Sequence, residues 1–489
     1  MTSCPDGVPF GTQLTARAQA DPDGIALTLV RTDGSERTLT WNSLECNANQ
    51  WARALAERAV GVGDLVALSV PNSVELILGA LAAWKVGAIP IPMRWDLPEW
   101  EQQRLLAVID AKLVIDSGTA DAVAREASRH DDAALPEVTS PALNGICSSG
   151  STGLPKIILN TSPALWSPAK STPFMTHWAP VSTPQTILVP APMYHTNGFN
   201  PLTYLLGGDR LVVLEKFDAA TVLDVIERHR VTHFTATPTM LSRIADRPDV
   251  DQRDLSSVEW IMQGAAVMPP TLLRRWFDLL SPQRVVMAYG MTENLGLTTL
   301  RGDEWLDHPG SVGRGFRDTE LRILDPDGSP CPPGEIGEIY LRAAMSDGYR
   351  YLGGAPPLPT TADGFTSAGD LGHLDADGFL YIADRRTDMI VTGGANVFPA
   401  EVETALIDHP AVADVVVIGL ADAHWGRRVH AVVQPTEPAD PPDAQDVIAF
   451  AKARLAGYKV PKTVEYIDEI PRTAATKVNR SAMVAARGG

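Results

Sequence analysis

What most constrains this chain is a rhythm: short β-branched runs alternate with segments of helical period over most of its length. Residues 41–59 read as an amphipathic helix opening the series, and Leu65-Val66-Ala67-Leu68-Ser69-Val70 as a buried strand. Asn72 is placed to cap the helix that carries Leu76, Ile77, Leu78, Ala80 and Leu81. The strand signal recurs at 113–115, 186–189, 210–214 and 231–236, with helices between. A weaker strand at 89–93 holds Pro90 and Pro92, which confine it to an edge or a strand end. Such alternation implies an α/β fold with parallel sheets covered by helices.

From about Gly313 the character changes. Residues 321–324, a Pro/Gly turn at 325–334 and residues 337–342 predict hairpins and a small antiparallel barrel, closed by 378–383. A compact tail begins near Arg385, with helices at 399–408 and 446–455, strands at 412–418 and 428–433, and a surface loop at 434–444. At 489 residues two or more domains are expected.

Composition narrows the function. A net charge of −18 argues against nucleic acid, whose phosphates need a basic face, and weakly against an anionic membrane surface. No apolar run reaches membrane-spanning length, the first residues lack the pattern of a signal peptide, and a cytoplasmic protein without membrane insertion is expected. Cys4, Cys46, Cys147 and Cys331 lie far apart with no C-x-x-C pair, suggesting neither disulfides nor zinc.

The chemistry concentrates in five clusters. Ser148-Ser149-Gly150-Ser151-Thr152-Gly153-Leu154-Pro155-Lys156 has the composition of a loop that wraps anionic oxygens: glycines for close approach, hydroxyl donors, and one lysine charge. It lacks the Walker spacing, and taken alone it also reads as a linker. Ala288-Tyr289-Gly290-Met291-Thr292-Glu293 follows a strand at 284–287, where ligands bind in parallel α/β folds. Then come Thr366-Ser367-Ala368-Gly369-Asp370-Leu371-Gly372, the stretch from Asp384-Arg385-Arg386-Thr387-Asp388 to Gly393-Gly394-Ala395-Asn396, and Pro471-Arg472-Thr473-Ala474-Ala475-Thr476-Lys477-Val478-Asn479-Arg480.

In this order, over residues 10–485, the five resemble the adenylate-forming superfamily of acyl-CoA synthetases, luciferases and adenylation domains. Pro192-Met193-Tyr194-His195-Thr196-Asn197-Gly198-Phe199 resembles the acyl-CoA ligases, and the run Tyr349-Arg350-Tyr351-Leu352-Gly353-Gly354 resembles a steroid-, bile-acid- and terpenoid-type actinobacterial branch. The resemblance implies an N-terminal adenylate-forming domain at 1–385 and a mobile α+β lid domain at 386–489. It implies ATP, Mg²⁺ and coenzyme A as cofactors. Ser149, Ser151, Thr152 and Lys156 would hold the β- and γ-phosphates, Thr292 would contact the α-phosphate, and Glu293 would bind the metal. Tyr289 and the backbone of Gly264, Ala265 and Ala266 would flank adenine. Asp370 would accept the ribose hydroxyls, and Arg385 would reinforce ribose or phosphate. Lys477 would act in adenylation and withdraw before CoA arrives, with a hinge at about Thr387. Gly393 and Gly394 would then line the pantetheine tunnel, and Lys459 and Arg428 are candidates for the CoA phosphates. His195 would sit beside the acyl carboxylate as a gate.

Each assignment has a plainer rival: a helix cap for Glu293, a turn residue for Asp370, a solvated tail lysine for Lys477, a core histidine for His195. Three positions depart from the family pattern. Ile157 and Thr476 stand where glycine is common, and Thr387 where lysine or aspartate is. β-Branched residues disfavour positive φ, so Thr476 raises the alternative of a weak adenylation half-reaction with thioester formation intact. The acyl pocket is expected near 195–199, 263–267 and 289–296, with Phe174, Met175 and Trp178 as further candidates. Its small residues suggest a bulky hydrophobic acid, polycyclic or terpenoid. A carrier protein in place of CoA, a non-catalytic nucleotide-binding relative and a homodimer complete the set of expectations.

Overall fold

The computed structural model describes residues 7–488 except 149–155, 267, 344–347, 368, 386–387, 393–394, 423–424 and 473–477. Contacts divide the chain into two compact units, 1–297 with 301–304 and 345–357, and 298–300 with 305–344 and 358–489.

The first unit realises the predicted rhythm. Val285–Gly290, Trp260–Gln263, His233–Ala236, Thr186–Val189, Arg210–Leu214 and Ile25–Val30 lie side by side in that order, all parallel, and Glu36–Thr40 adds an antiparallel edge. Their β-branched sides pack under helices Trp41–Glu57 and Val74–Lys85, which bury Leu44, Trp51, Leu55, Leu76 and Ile77 against Leu27, Leu211 and Val213. A second parallel sheet runs Ile89–Pro92, Leu65–Leu68, Leu113–Ile115. The proline-bearing strand takes its outer position, as the missing N–H donors require. Tyr349–Leu352, Lys156–Asn160 and Asn144–Ser148 form a third, antiparallel sheet.

One expected cap is corrected. Ser73, not Asn72, caps Val74–Lys85, its side chain accepting from Leu76 N. The buried Asn72 amide donates to Ala191 O and Leu214 O and accepts from Met193 N, joining two segments over a hundred residues away.

In the second unit the section expected as a barrel is a four-stranded antiparallel sheet, in the order Thr319–Leu324, Gly337–Ala343, Asp370–Leu374, Leu380–Arg385. The tail pairs Val412–Asp422 with Gly426–Pro435, and helices Pro399–Ile407 and Ala444–Lys452 contribute Val402, Leu406 and Val447 to a core with Val415, Val417 and Val429. No helix among the described residues is long and apolar enough to cross a membrane.

Candidate active site

Lys156 opens the strand Lys156–Asn160, whose Cα register against Asn144–Ser148 sets Ser148 opposite Lys156. The residues on either side of the hydroxyl- and glycine-rich stretch are therefore paired antiparallel strands. Ser149, Ser151 and Thr152 themselves lie outside the described residues. The departure at Ile157 has a physical account. It sits in the paired strand opposite Cys147 and Leu352, fully buried with Ile89, Ile91 and Leu159, where a β-branched residue suits the extended backbone.

Two further clusters stand at the carboxyl ends of adjacent parallel strands. Gln263 pairs with Met287, and a β-carbon at Gly264 would lie 3.6 Å from Ala288 O, so the Gly264–Ala266 and Tyr289–Glu293 segments leave the sheet side by side. Ala265 is held at φ +75°, a conformation costly for a residue with a β-carbon. The Gln263 amide steadies it by donating to Ala266 O. Ala265 and Ala266 are exposed, leaving the backbone accessible to a flat ring. Thr292 and Glu293 occupy a turn closed by Asn294 N on Met291 O, and the next element is the strand Leu297–Arg301, so Glu293 caps no helix.

The Glu293 carboxylate accepts from Tyr351 OH at 2.7 Å through Oε1, and Lys156 Nζ stands 5.2 Å from the centre of the same ring. A single carboxylate suits Mg²⁺, which is commonly held by one or two carboxylates plus substrate phosphates. Among the described residues no group of three metal-ligating side chains gathers.

His195 precedes the short helix Thr196–Phe199 and is half-buried with its ring 4.6 Å from Tyr194, rather than a core histidine. Its loop is tight: a β-carbon at Gly198 would meet Pro192 O at 2.3 Å, and Asn72 pins Met193 from the other side. Thr196 and Thr292 bring their hydroxyls to 3.5 Å. Met175 goes elsewhere. It is buried with Trp260 and Val286 at the amino ends of their strands, Phe174 and Trp178 pack beside it, and Trp178 Nε1 donates to Glu304, so these three leave the acyl-pocket set.

In the second unit Asp370 is a buried strand residue rather than a turn residue, and its Cα partner across the antiparallel pair is Arg385. The two residues expected at ribose thus share one register position. Lys459 is engaged by both oxygens of Glu401, and Arg428 Nη1 donates to Ala421 O, which weakens both as phosphate ligands. Gly393, Gly394, Thr387, Thr476 and Lys477 lie outside the described residues. The flanks of the last are braced by Arg472 on Asp414 and Arg480 on Glu403.

Sequence reasoning passed over Asn72 as a brace and Tyr351 as a site neighbour. Only for Tyr351 was a signal present, in the spacing of a strand that pairs with the phosphate-loop strand.

Residues 14–350 match the family model of the AMP-binding enzymes, and residues 401–477 match the AMP-binding enzyme C-terminal domain. The chain belongs to the AMP-binding enzyme family, within the adenylate-forming superfamily. It is 33% identical to a feruloyl-CoA synthase of Amycolatopsis, covering 96% of this chain and 97% of that one. It is 32% identical to an indoleacetate–CoA ligase of Aromatoleum aromaticum, over 91% and 92%. The o-succinylbenzoate CoA synthetase of Bacillus subtilis, solved with its acyl-adenylate, superposes with a TM-score of 0.83 at 27% identity, covering 96% of this chain and 97% of that one. The same synthetase has been solved with ATP and magnesium. This chain is an ATP-dependent, AMP-forming acid–thiol ligase that uses ATP, Mg²⁺ and CoA.

Proposed function

We propose that the chain activates a bulky, ring-bearing hydrophobic carboxylic acid as its acyl-adenylate and passes the acyl group to CoA. The observation that supports the substrate class is the set of small residues Gly264, Ala265 and Ala266, just past the carboxyl end of the strand Trp260–Gln263, with Gly296 in the loop after Val285–Gly290, since small side chains take little room from a ring. Relatives named for feruloyl, indoleacetate and succinylbenzoate support a ring. The polycyclic or terpenoid acid of the sequence reading is the wide end of this class.

In the first half-reaction the acid's carboxylate oxygen attacks the α-phosphorus of ATP and pyrophosphate leaves. A carboxylate needs no general base, so the protein's task is alignment and charge neutralisation. Lys156, with Ser149, Ser151 and Thr152, takes the outgoing phosphates, Thr292 the α-phosphate, and Asp370 and Arg385 the ribose. Glu293 would hold Mg²⁺, which would supply countercharge to the phosphates. Lys477, on a lid at 386–489, bridges the acyl carboxylate and the α-phosphate. With the lid turned away, the CoA thiol attacks the mixed anhydride and AMP leaves, Gly393 and Gly394 lining the path and His195 standing beside it.

The test is a mass-spectrometric product screen with ATP, Mg²⁺ and aromatic, steroidal, terpenoid and straight-chain acids, each with and without CoA. A thioester from ring-bearing acids is expected, with adenylate accumulating when CoA is withheld. Preference for straight-chain acids would overturn the substrate class. Adenylate without thioester at any CoA concentration would point to a carrier protein as acceptor.

A further inference from the structure

Lys156 and Glu293 carry opposite charges toward the same triphosphate, yet they come from separate segments of the first unit. One side chain touches both. Tyr351 lies opposite Ile158 in the antiparallel pairing of Tyr349–Leu352 with Lys156–Asn160. Lys156 is two residues from Ile158 and therefore on the same face, the diagonal position from which a long side chain reaches an aromatic ring. The observed 5.2 Å from Nζ to the ring centre is that contact. From the far end of the same ring the hydroxyl donates to Glu293 Oε1 at 2.7 Å. Tyr349 packs edge-on at 5.1 Å, and Tyr351 is 8% exposed, so the ring has little room to turn.

We propose that Tyr351 is a positioning residue of the nucleotide site: its hydroxyl orients the metal-binding carboxylate while its ring face seats the phosphate-binding lysine. With Oε1 held by Tyr351, Oε2 is the oxygen left for a cation, and with Nζ over a ring face the ammonium N–H donors are left for phosphate.

The inference rests on Lys156 and Glu293 serving phosphate and metal, and the experiment separates the two claims. Binding of ATP to the full chain is measured by calorimetry with and without Mg²⁺, beside the Mg²⁺ dependence of ATP–pyrophosphate exchange. Tyr351→Phe removes the hydrogen bond and keeps the ring. It should raise the Mg²⁺ needed for half-maximal exchange about tenfold, with Mg²⁺-free ATP affinity held. Tyr351→Leu removes the ring as well and should also weaken Mg²⁺-free ATP binding roughly two- to fivefold. Tyr349→Phe is the neighbouring control, and thermal unfolding reports the fold of each variant. If Glu293→Gln shifts the Mg²⁺ dependence and Tyr351→Phe does not, the inference is overturned. If neither shifts it, the metal assignment of Glu293 falls first. A loss of exchange rate in Tyr351→Phe with an unshifted Mg²⁺ midpoint would reduce Tyr351 to packing.

Discussion

The two ends of the parallel sheet in the first unit are made from the same strands and are built for opposite purposes. At the carboxyl ends stand an alanine at positive φ, exposed residues at 265–266, and a half-buried threonine and glutamate in a turn. At the amino ends a closed chain of contacts crosses four neighbouring strands. Asp209 accepts from Gln185 N at 2.7 Å, Gln185 Oε1 accepts from Trp260 Nε1 at 3.1 Å, and Trp260 stacks on His233 with ring centres 3.6 Å apart. All four are under a tenth exposed. The difference teaches where strain is tolerated: a ligand can satisfy loops at the carboxyl ends, whereas the amino ends must satisfy themselves.

If the ends divide labour in this way, substitutions should separate stability from chemistry. The largest effect belongs to Trp260→Ala, which deletes a buried indole and orphans Gln185 Oε1. We expect about 3–5 kcal/mol lost in denaturant unfolding, with the KM for ATP unchanged in the surviving folded fraction. A changed KM would break the division. Next is Glu293→Gln at the other end. Adenylation should slow by roughly 10²–10³-fold, the scale for losing one electrostatic stabiliser, with the unfolding free energy within about 0.5 kcal/mol of wild type. A large stability loss there would show that Glu293 serves the fold.

A smaller effect depends on pH. Burial holds His233 neutral and pulls its pKa down to about 3, and burial pushes Asp209 up to about 6. For His233 the folded value lies below the ordinary 6.5, so its share of stability is present above pH 6.5 and lost as pH falls toward 3. The loss is about 1.4 kcal/mol per pH unit at most. Asp209 runs the other way. Its folded value is raised, so the penalty of ionising a buried carboxylate is full above pH 6 and is relieved as pH falls toward 4. Between pH 6 and 4 the two slopes oppose. His233→Phe should therefore gain on wild type as pH drops from 7 to 5, and Asp209→Asn should lose. Parallel stability curves for wild type and His233→Phe would sink this account.

The strands at 113–115, 186–189 and 210–214 were legible because each is a compact apolar run bounded by turn residues, and the site motifs because each is a short contiguous stretch. The rest depended on partners distant in sequence. Ile25–Val30 joins the large sheet beside Arg210–Leu214, a pairing nothing local announces. Asn72 and Ser73 offer the same capping chemistry one residue apart, and what decides between them is three acceptors and donors at 191–214. Ile157 departs from the glycine common in the family, and is ordinary at a position that lies in a core strand. Tyr351 reached the site only through strand register.

The finest probe of the comparison is Ala265. Its φ of +75° costs an alanine about 1 kcal/mol that a glycine would escape, while glycine gives back up to about 1 kcal/mol through the freer unfolded chain. Ala265→Gly should therefore move stability by less than about 1 kcal/mol in either direction. Its larger consequence is local, because the segment no longer has a β-carbon to limit its conformations beside Tyr289. If the strain serves to present the 264–266 backbone to adenine, the substitution should raise the KM for ATP several-fold and leave kcat almost unchanged, since only ground-state positioning is loosened. The same change made where no ligand is expected, Ser281→Gly at φ +90°, should shift stability alone. Equal KM values for wild type and Ala265→Gly would mean that the positive φ at Ala265 is a by-product of the turn.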